Sequence, residues 1–427
     1  MAKNDNLKDF LTDVANAIRY KAGIAGKINP QDFSAKIRAI ESGENSGGGG
    51  NTPKWTGHVD AEGLRAIGWT DEDIAYYQEN GVNWNEENDE YHKVTDDNKA
   101  LYGVLTADNI GVYKDRIVYL PKIDTSANTS MSNMFNKCYS LVSIPQLNTS
   151  NVTNMSQMFN SCSSLVSIPP LDTRNVTNMN SMFSSCCSLV SIPQLDTSNV
   201  TSMNGMFSGC YSLVSIPQLD TAKVTNISYM FSKCYSLVSI PQLDTQKVRN
   251  MSNMFYECRS LVSIPQVDTQ NVMDMNSMFF GCFSLVSIPR LYTRNVTNMN
   301  SMFERCLSLV SIPQLDTQNV TNMSCMFYLC YSLVSIPQLD TQNVTNMDSM
   351  LEQCFSLVTA NLKNVKLGYN LNNSALLTKE SLLYIINNEA ATSAITIKLA
   401  AYAYERLAED TDIVAALANH PNISIAQ

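Results

Sequence analysis

From Cys138 onward a cysteine returns every 24 residues, with no insertion or deletion. The series runs Cys138, Cys162, Cys186, Cys210, Cys234, Cys258, Cys282, Cys306, Cys330 and Cys354. The phrase LVSIP stands three residues after nine of these cysteines, from Leu141 to Pro337. Degenerate versions flank it, Ile117 to Pro121 (IVYLP) and Leu357 to Asn361 (LVTAN). A fixed period of this length is the mark of a solenoid of stacked coils, here about ten, and it excludes most other architectures.

Within one copy the apolar members are Phe207, Cys210, Leu213, Ile216, Leu219, Val224, Ile227 and Met230. Their spacing is mostly three with one gap of five, which is neither the alternation of a strand nor a heptad. It fits a coil that bends several times and returns to its start. Leu-Val-Ser-Ile and Val-Thr-Asn read as short extended pieces, and Pro217 and its equivalents end one of them because proline has no amide to donate. One coil cannot bury enough apolar surface to hold itself, so neighbours must close its core.

Stacking turns each position into a column. The cysteine column reads as a small, polarizable core filler. Twenty of the 21 methionines lie in the same array and fill the other side. No CxxC pair exists to form a structural zinc site. Parallel stacked side chains rarely meet disulfide geometry, and the adjacent Cys187 reads as an outward neighbour of Cys186. Thr125, Thr149, Thr173 and onward to Thr341 form a second column, preceded by Asp124, Asn148, Asp172 and their successors, with Tyr292 the one aromatic exception. These pairs read as local turn caps. A calcium column is disfavoured by one carboxylate per coil and no glycine-rich loop. The NVT and NMS triplets match the glycosylation acceptor pattern, which the period alone explains.

The positions that vary carry the functional signal. After the cysteines stand Tyr139, Ser163, Cys187, Tyr211, Tyr235, Arg259, Phe283, Leu307, Tyr331 and Phe355. Two residues before a cysteine stand Tyr256, Phe280 and Tyr328. The core pattern claims neither position. The aromatic members, Tyr139, Tyr211, Tyr235, Tyr256, Phe280, Phe283, Tyr328, Tyr331 and Phe355, are expected to form one stripe along an edge. Such a stripe suits a carbohydrate or protein ligand, or else shields the rim of the core.

Composition narrows the remaining classes. The formal charge is −10, with the acidic excess concentrated between Asn51 and Arg116. Nothing resembles a basic patch, so nucleic-acid binding is not expected. No apolar run approaches the ~18 residues a membrane span needs, so no membrane insertion is expected. The start MAKNDNLKDF lacks the basic-then-apolar pattern of a secretory signal. No Ser-His-Asp order, metal motif or phosphate-cradling loop appears among only three histidines, so no catalytic residue, cofactor or metal is expected.

At MFSGCYSLVSIPQLDT and in the LDTSNV and NVTNM segments the array resembles the BspA-like leucine-rich repeats, across roughly residues 117–362. That resemblance implies a right-handed, β-rich solenoid with little helix. It implies a surface protein engaged in adhesion and no catalysis. The chain departs from the bacterial surface members in showing no secretion signal or anchor.

The flanks complete the expected organisation. Residues 1–41 read as a helical hairpin for attachment or oligomerisation. Leu7, Phe10, Leu11, Val14 and Ile18 share one face, and Phe33, Ile37 and Ile40 follow a start at Asn29-Pro30. Residues 42–52 form a glycine-rich linker. Residues 53–116 form a small acidic mixed module holding Trp55, Trp69 and Trp84, with a capping box at Thr70 and Asp73. His58 and His92 lie in it among carboxylates and read as surface residues. The segments LKDFLTDVANAIRYKAG and EGLRAIGWTDEDIAYYQENGVNWNEENDEYHKV resemble modules of gut-phage tail-associated proteins. Beyond the array, residues 363–427 read as an α/β cap, with helix over 378–387, strand over 394–399, helix over 400–418 broken near Asp410, and strand over 422–426.

Together these readings favour a non-enzymatic tail or tail-fibre-like virion protein. Residues 1–41 would bind other virion proteins, and the chain would form a homo-oligomer, a trimer among the options. The solenoid would meet a host surface glycan or protein. The alternative is a bacterial BspA-like surface adhesin or intracellular interaction scaffold.

Overall fold

The computed structural model describes residues 125–427. The expected attachment segment, linker and acidic module, the degenerate copy at 117–121 and Asp124 lie outside the described residues.

The array is a solenoid, and the coil around Cys210 shows how the sequence builds it. Asp196 Oδ1 accepts the Ser198 amide at 3.0 Å, and the Val200 amide closes a tight turn on the Thr197 carbonyl at 2.9 Å. The chain then extends through Thr201 and Ser202, which bridges in parallel to Asn178 on one side and Asn226 on the other. From Met203 to Cys210 the amides alternate in direction. Met206, Ser208 and Cys210 turn back to the carbonyls of Met203, Gly205 and Phe207. Met203, Gly205, Phe207 and Gly209 instead donate to Asn226, Ser228, Met230 and Ser232 of the next coil.

This alternation requires left-handed backbone at two points per coil. Gly205 (φ 60) and Gly209 (φ 76) supply it here. Elsewhere ordinary residues do so: Tyr229 and Lys233 in one coil, Cys325 and Leu329 in another, all with φ between 54 and 63. Side-chain-bearing residues pay for that conformation, and the inter-coil bonds fix it.

The expected β-richness is not what forms. Because amides alternate between neighbour and own coil, most coils meet through isolated parallel bridges, from Ser130↔Asn154 to Asn322↔Asn346. In the array only β1 (Ser335–Asp340) and β2 (Thr359–Lys363) reach strand length, paired in parallel. Their register slips between Ile336 and Leu339, and there the 24-residue period ends.

The core is a set of columns. Nine phenylalanines, Phe135 to Phe327, are fully buried, and successive rings stack at 5.4–5.8 Å. The ten cysteines of the series are buried at 0% exposure, and all twelve in the chain are free thiols. They do more than fill space. Each thiol from Cys162 to Cys354 donates to the carbonyl of the phenylalanine one coil back, as Cys210 does to Phe183 at 3.0 Å. The array methionines are buried except Met273, which is 54% exposed.

The threonine column departs from its expected role. Asp side chains do cap their own turns, as Asp220 does the Ala222 amide at 3.0 Å. The threonines are buried, and their hydroxyls join coils: Thr221 donates to the Asp244 carbonyl at 2.7 Å, 23 residues on. Further ladders run along the surface. Gln218 Nε2 reaches the Gln242 carbonyl at 2.6 Å, and Asn199 Nδ2 reaches the Arg174 carbonyl at 2.8 Å.

After β2 the chain forms β3 (Tyr369–Leu371), α1 (Lys379–Asn387), β4 (Ile395–Leu399), α2 (Ala401–Leu407), α3 (Thr411–Asn419) and β5 (Ile423–Ala426). Strands β3, β4 and β5 make a parallel sheet in that order. The sequence reading places each of these except β3, whose three residues are too few to show a pattern. Thr378 caps α1 through the Ser381 amide, and Asp410 caps α3 and so breaks the helical run. The Ser381 hydroxyl donates to the Ala360 carbonyl at 3.0 Å and accepts the Ala360 amide at 2.7 Å. Helix α1 therefore closes directly on β2, the last coil.

Candidate binding surface

The residue after each column cysteine faces outward because the cysteine and the leucine three residues beyond it both face the core. Its carbonyl is held by the next coil: Ser236 donates to Tyr211, Ser260 to Tyr235 and Ser284 to Arg259, each at 3.2 Å. Side chains at this position therefore stand in register, one coil apart.

Four of them form one continuous stack. The Tyr211 and Tyr235 rings lie 4.7 Å apart and 12° from parallel. The Arg259 guanidinium follows, 4.2 Å from the Tyr235 centroid and 5.7 Å from that of Phe283. Glu257 Oε2 holds that guanidinium at 3.0 Å. Burial, then the Glu257 charge, pushes the Tyr235 hydroxyl above the usual phenol range. Further along, Tyr331 and Phe355 meet at 5.3 Å in a tilted pair.

The expected single stripe is in fact two files. Tyr256 and Phe280 stack at 4.6 Å, 6° from parallel, in the file before the cysteines. Glu304 stands at the next position and Tyr328 after it. Burial pushes the Glu304 carboxyl up, against the Ser301 hydroxyl and the Arg305 charge. Among the described residues no ring contact joins the two files. Tyr139, Tyr211, Tyr331 and Phe355 are exposed, whereas Tyr235, Tyr256, Phe280, Phe283 and Tyr328 are half-buried. Tyr139 has no ring partner among the described residues, because Ser163 and Cys187 occupy the next two places in its file.

The sequence reading missed the flanking valines. Val214, Val238, Val262, Val286, Val310 and Val334 are 36–46% exposed. LVSIP looks apolar throughout, yet the three-residue step from Leu213 to Ile216 already leaves Val214 outside the core pattern. It also passed over Arg259, whose flat cation continues a ring stack as well as an aromatic does. The surface is thus a file of rings and guanidinium beside a file of valines, three residues apart along each coil. Among the described residues, no group of three or more His, Cys, Asp and Glu could hold a metal ion.

Four overlapping stretches, 113–212, 166–264, 190–287 and 260–365, match the profile of one family, described as "Mycoplasma protein of unknown function, DUF285". None reaches the segments before residue 113 that resemble tail-associated modules. No curated protein matches the chain. Among solved structures, it is similar to a leucine rich cell surface protein from Faecalibacterium prausnitzii A2-165, at 25% identity and a TM-score of 0.31 over 58% of this chain and 76% of that one. A leucine-rich repeat protein from Bacteroides ovatus ATCC 8483 matches at 18% identity and a TM-score of 0.34, over 73% and 88%. The leucine rich repeat protein of T. pallidum matches at 22% and 0.27, over 45% and 76%. The matched stretches together span more than half of the sequence, and the chain belongs to the DUF285 family.

Proposed function

We propose that the solenoid is a non-enzymatic binding scaffold that presents the Tyr211–Tyr235–Arg259–Phe283 stack and its valine flank to a surface glycan or protein. The observation that carries this is the stack itself, four coils long beside a file of exposed valines. Exposed rings gain by being covered, and a flat guanidinium among them adds a polar contact that fixes orientation. The role that fits best is adhesion at a bacterial cell surface.

The test uses the full chain with Tyr211 and Tyr235 changed to Ser and Arg259 to Gln. A panel of immobilised glycans and surface proteins should show binding that falls at least about tenfold in the variant, with its thermal unfolding unchanged. Equal binding by the variant would remove this edge from the account.

Assembly into a phage tail through residues 1–41, with oligomerisation there, is a separate proposal that rests on sequence resemblance alone. Recovery of the chain in purified virions would carry it. Recovery with the cell envelope would carry the adhesin reading.

A further inference from the structure

One coil departs from the repeat at three neighbouring positions. Where the flanking coils have Gln266, Asp268, Gln270 and Gln314, Asp316, Gln318, this coil has Arg290, Tyr292 and Arg294. Gln-Asp-Gln carries −1 and Arg-Tyr-Arg carries +2, so both signs of change run the same way. The three residues line a depression of about 430 Å³, together with Gln314, Asp316, Asp340 and Lys363. That is within the ~300–1,000 Å³ of ordinary small-ligand sites.

An equivalent coil serves as an internal control. Arg174 and Asp172 occupy the positions of Arg294 and Tyr292, and there the guanidinium is paired by two contacts of 2.9 and 2.7 Å. The tyrosine removes that carboxylate. Among the described residues Arg290, Arg294 and Lys363 have no ion-pair partner. Arg290 also leaves the glutamine ladder. Gln266 Nε2 still donates to the Arg290 carbonyl at 2.7 Å, but the Arg290 guanidinium lies 5.3 Å from the Tyr292 centroid. The backbone beneath is fixed: Thr269 Oγ1 holds the Tyr292 amide at 2.7 Å, and Asn319 Nδ2 holds the Arg294 carbonyl at 2.7 Å. Three cations thus line one cavity against two carboxylates, Asp316 and Asp340, with no ion pair formed between them among the described residues, in a chain of net charge −10.

We infer that this depression binds an acidic saccharide, a pyranose bearing a carboxylate or sulfate. Guanidinium groups take such anions through paired N–H bonds. The exposed Tyr292 ring offers a flat face to a sugar, and Asp316 with the glutamines supplies partners for hydroxyls. The lining holds no open apolar slot for a hydrophobic peptide side chain, since Leu291 and Leu315 are buried at 2% and 1% exposure. The site shares no residue with the aromatic edge and does not rest on its role.

The test is calorimetric titration of the full chain with trigalacturonate, a sulfated disaccharide, neutral maltotriose and a triglutamate peptide. An acidic sugar should bind one per chain, more weakly as salt rises, and the tighter of the two identifies the anion. Tyr292→Asp, which restores the pairing seen at Asp172 and Arg174, and Arg294→Gln, the residue of the neighbouring coil, should each weaken binding about tenfold or more. Tyr235→Ser should leave it unchanged. The inference is overturned if maltotriose binds equally or triglutamate binds more tightly. It is likewise overturned if both variants bind like the parent, or if neither acidic sugar binds at millimolar concentration.

Discussion

The thiol of Cys234 donates to the carbonyl of Phe207 at 3.1 Å, and that carbonyl already accepts the Cys210 amide at 3.0 Å. Each series cysteine from Cys162 to Cys354 is thereby a donor between coils as well as a filler, and it must stay protonated to serve. Replacing Cys234 by Ala removes the bond and leaves a small void, and should cost about 1–2 kcal/mol in urea unfolding.

The same geometry sets reactivity. The ten series cysteines are buried, while Cys187 and Cys325 are partly exposed and burial raises their thiols too. An aromatic disulfide reagent near pH 8 should modify Cys187 and Cys325 slowly in the native chain, and all twelve after unfolding. Peptide mapping checks this; rapid labelling of any series cysteine would contradict the packing.

Stability should fall in alkali. Burial raises the series thiols from Cys186 to Cys354 above their ordinary value of 9.0, with Cys354 pushed up to about 12, and a hydrogen bond with Cys138, then burial, raises that of Cys162. Above pH 9 the unfolded chain therefore holds fewer protons than the folded one, and stability declines with pH. The contribution is complete below pH 9 and is lost as pH climbs toward the folded values, each thiol subtracting up to about 1.4 kcal/mol per pH unit. Urea midpoints between pH 8 and 10.5 should drop steeply, and less steeply in a Cys210→Ala, Cys234→Ala variant.

The two halves of the Asp-Thr turn should respond differently. Thr221→Val keeps the shape but removes the part-buried inter-coil bond to the Asp244 carbonyl, at a cost of about 1–2 kcal/mol. Asp220→Ala frees the Ala222 amide near solvent, where water replaces the cap, and should cost less than about 1 kcal/mol. Chemical unfolding of the two variants separates them.

Left-handed positions give a reciprocal pair. Gly281 sits at φ +68 with its missing Cβ 3.1 Å from Glu257 Cγ, so Gly281→Ala should lose about 1 kcal/mol or more. Lys233 occupies the same column at φ 59, and Lys233→Gly should gain about 0.5–1 kcal/mol once the added freedom of the unfolded chain is allowed for. Thermal unfolding reads both.

What the sequence disclosed and what it hid divide along one line. The period, the buried cysteine series and the helix break at Asp410 follow from residue spacing or from local capping, and both are visible in a single stretch of chain. The inter-coil bonds of Thr221 and Cys234 reach 23 and 27 residues away, beyond any rule of neighbouring residues. Local reading therefore took the threonines for caps and the cysteines for filler alone. The left-handed columns escaped because Asn133, Lys137 and Leu329 announce nothing as glycine would. Of the binding edge, the aromatic positions were legible. Their division into two files was not, since it depends on where each side chain leaves a bend, and the valines were masked by an apolar phrase.

Helix α1 meets β2 through Ser381 and Ala360, and the Thr378 amide meets the Val358 carbonyl at 3.0 Å. On the last turn the Thr378 amide takes the place that the following coil's valine amide holds on the turns before it, as Val214 does on the Val190 carbonyl. Units added to or removed from the interior of the array would therefore leave this closing contact in place.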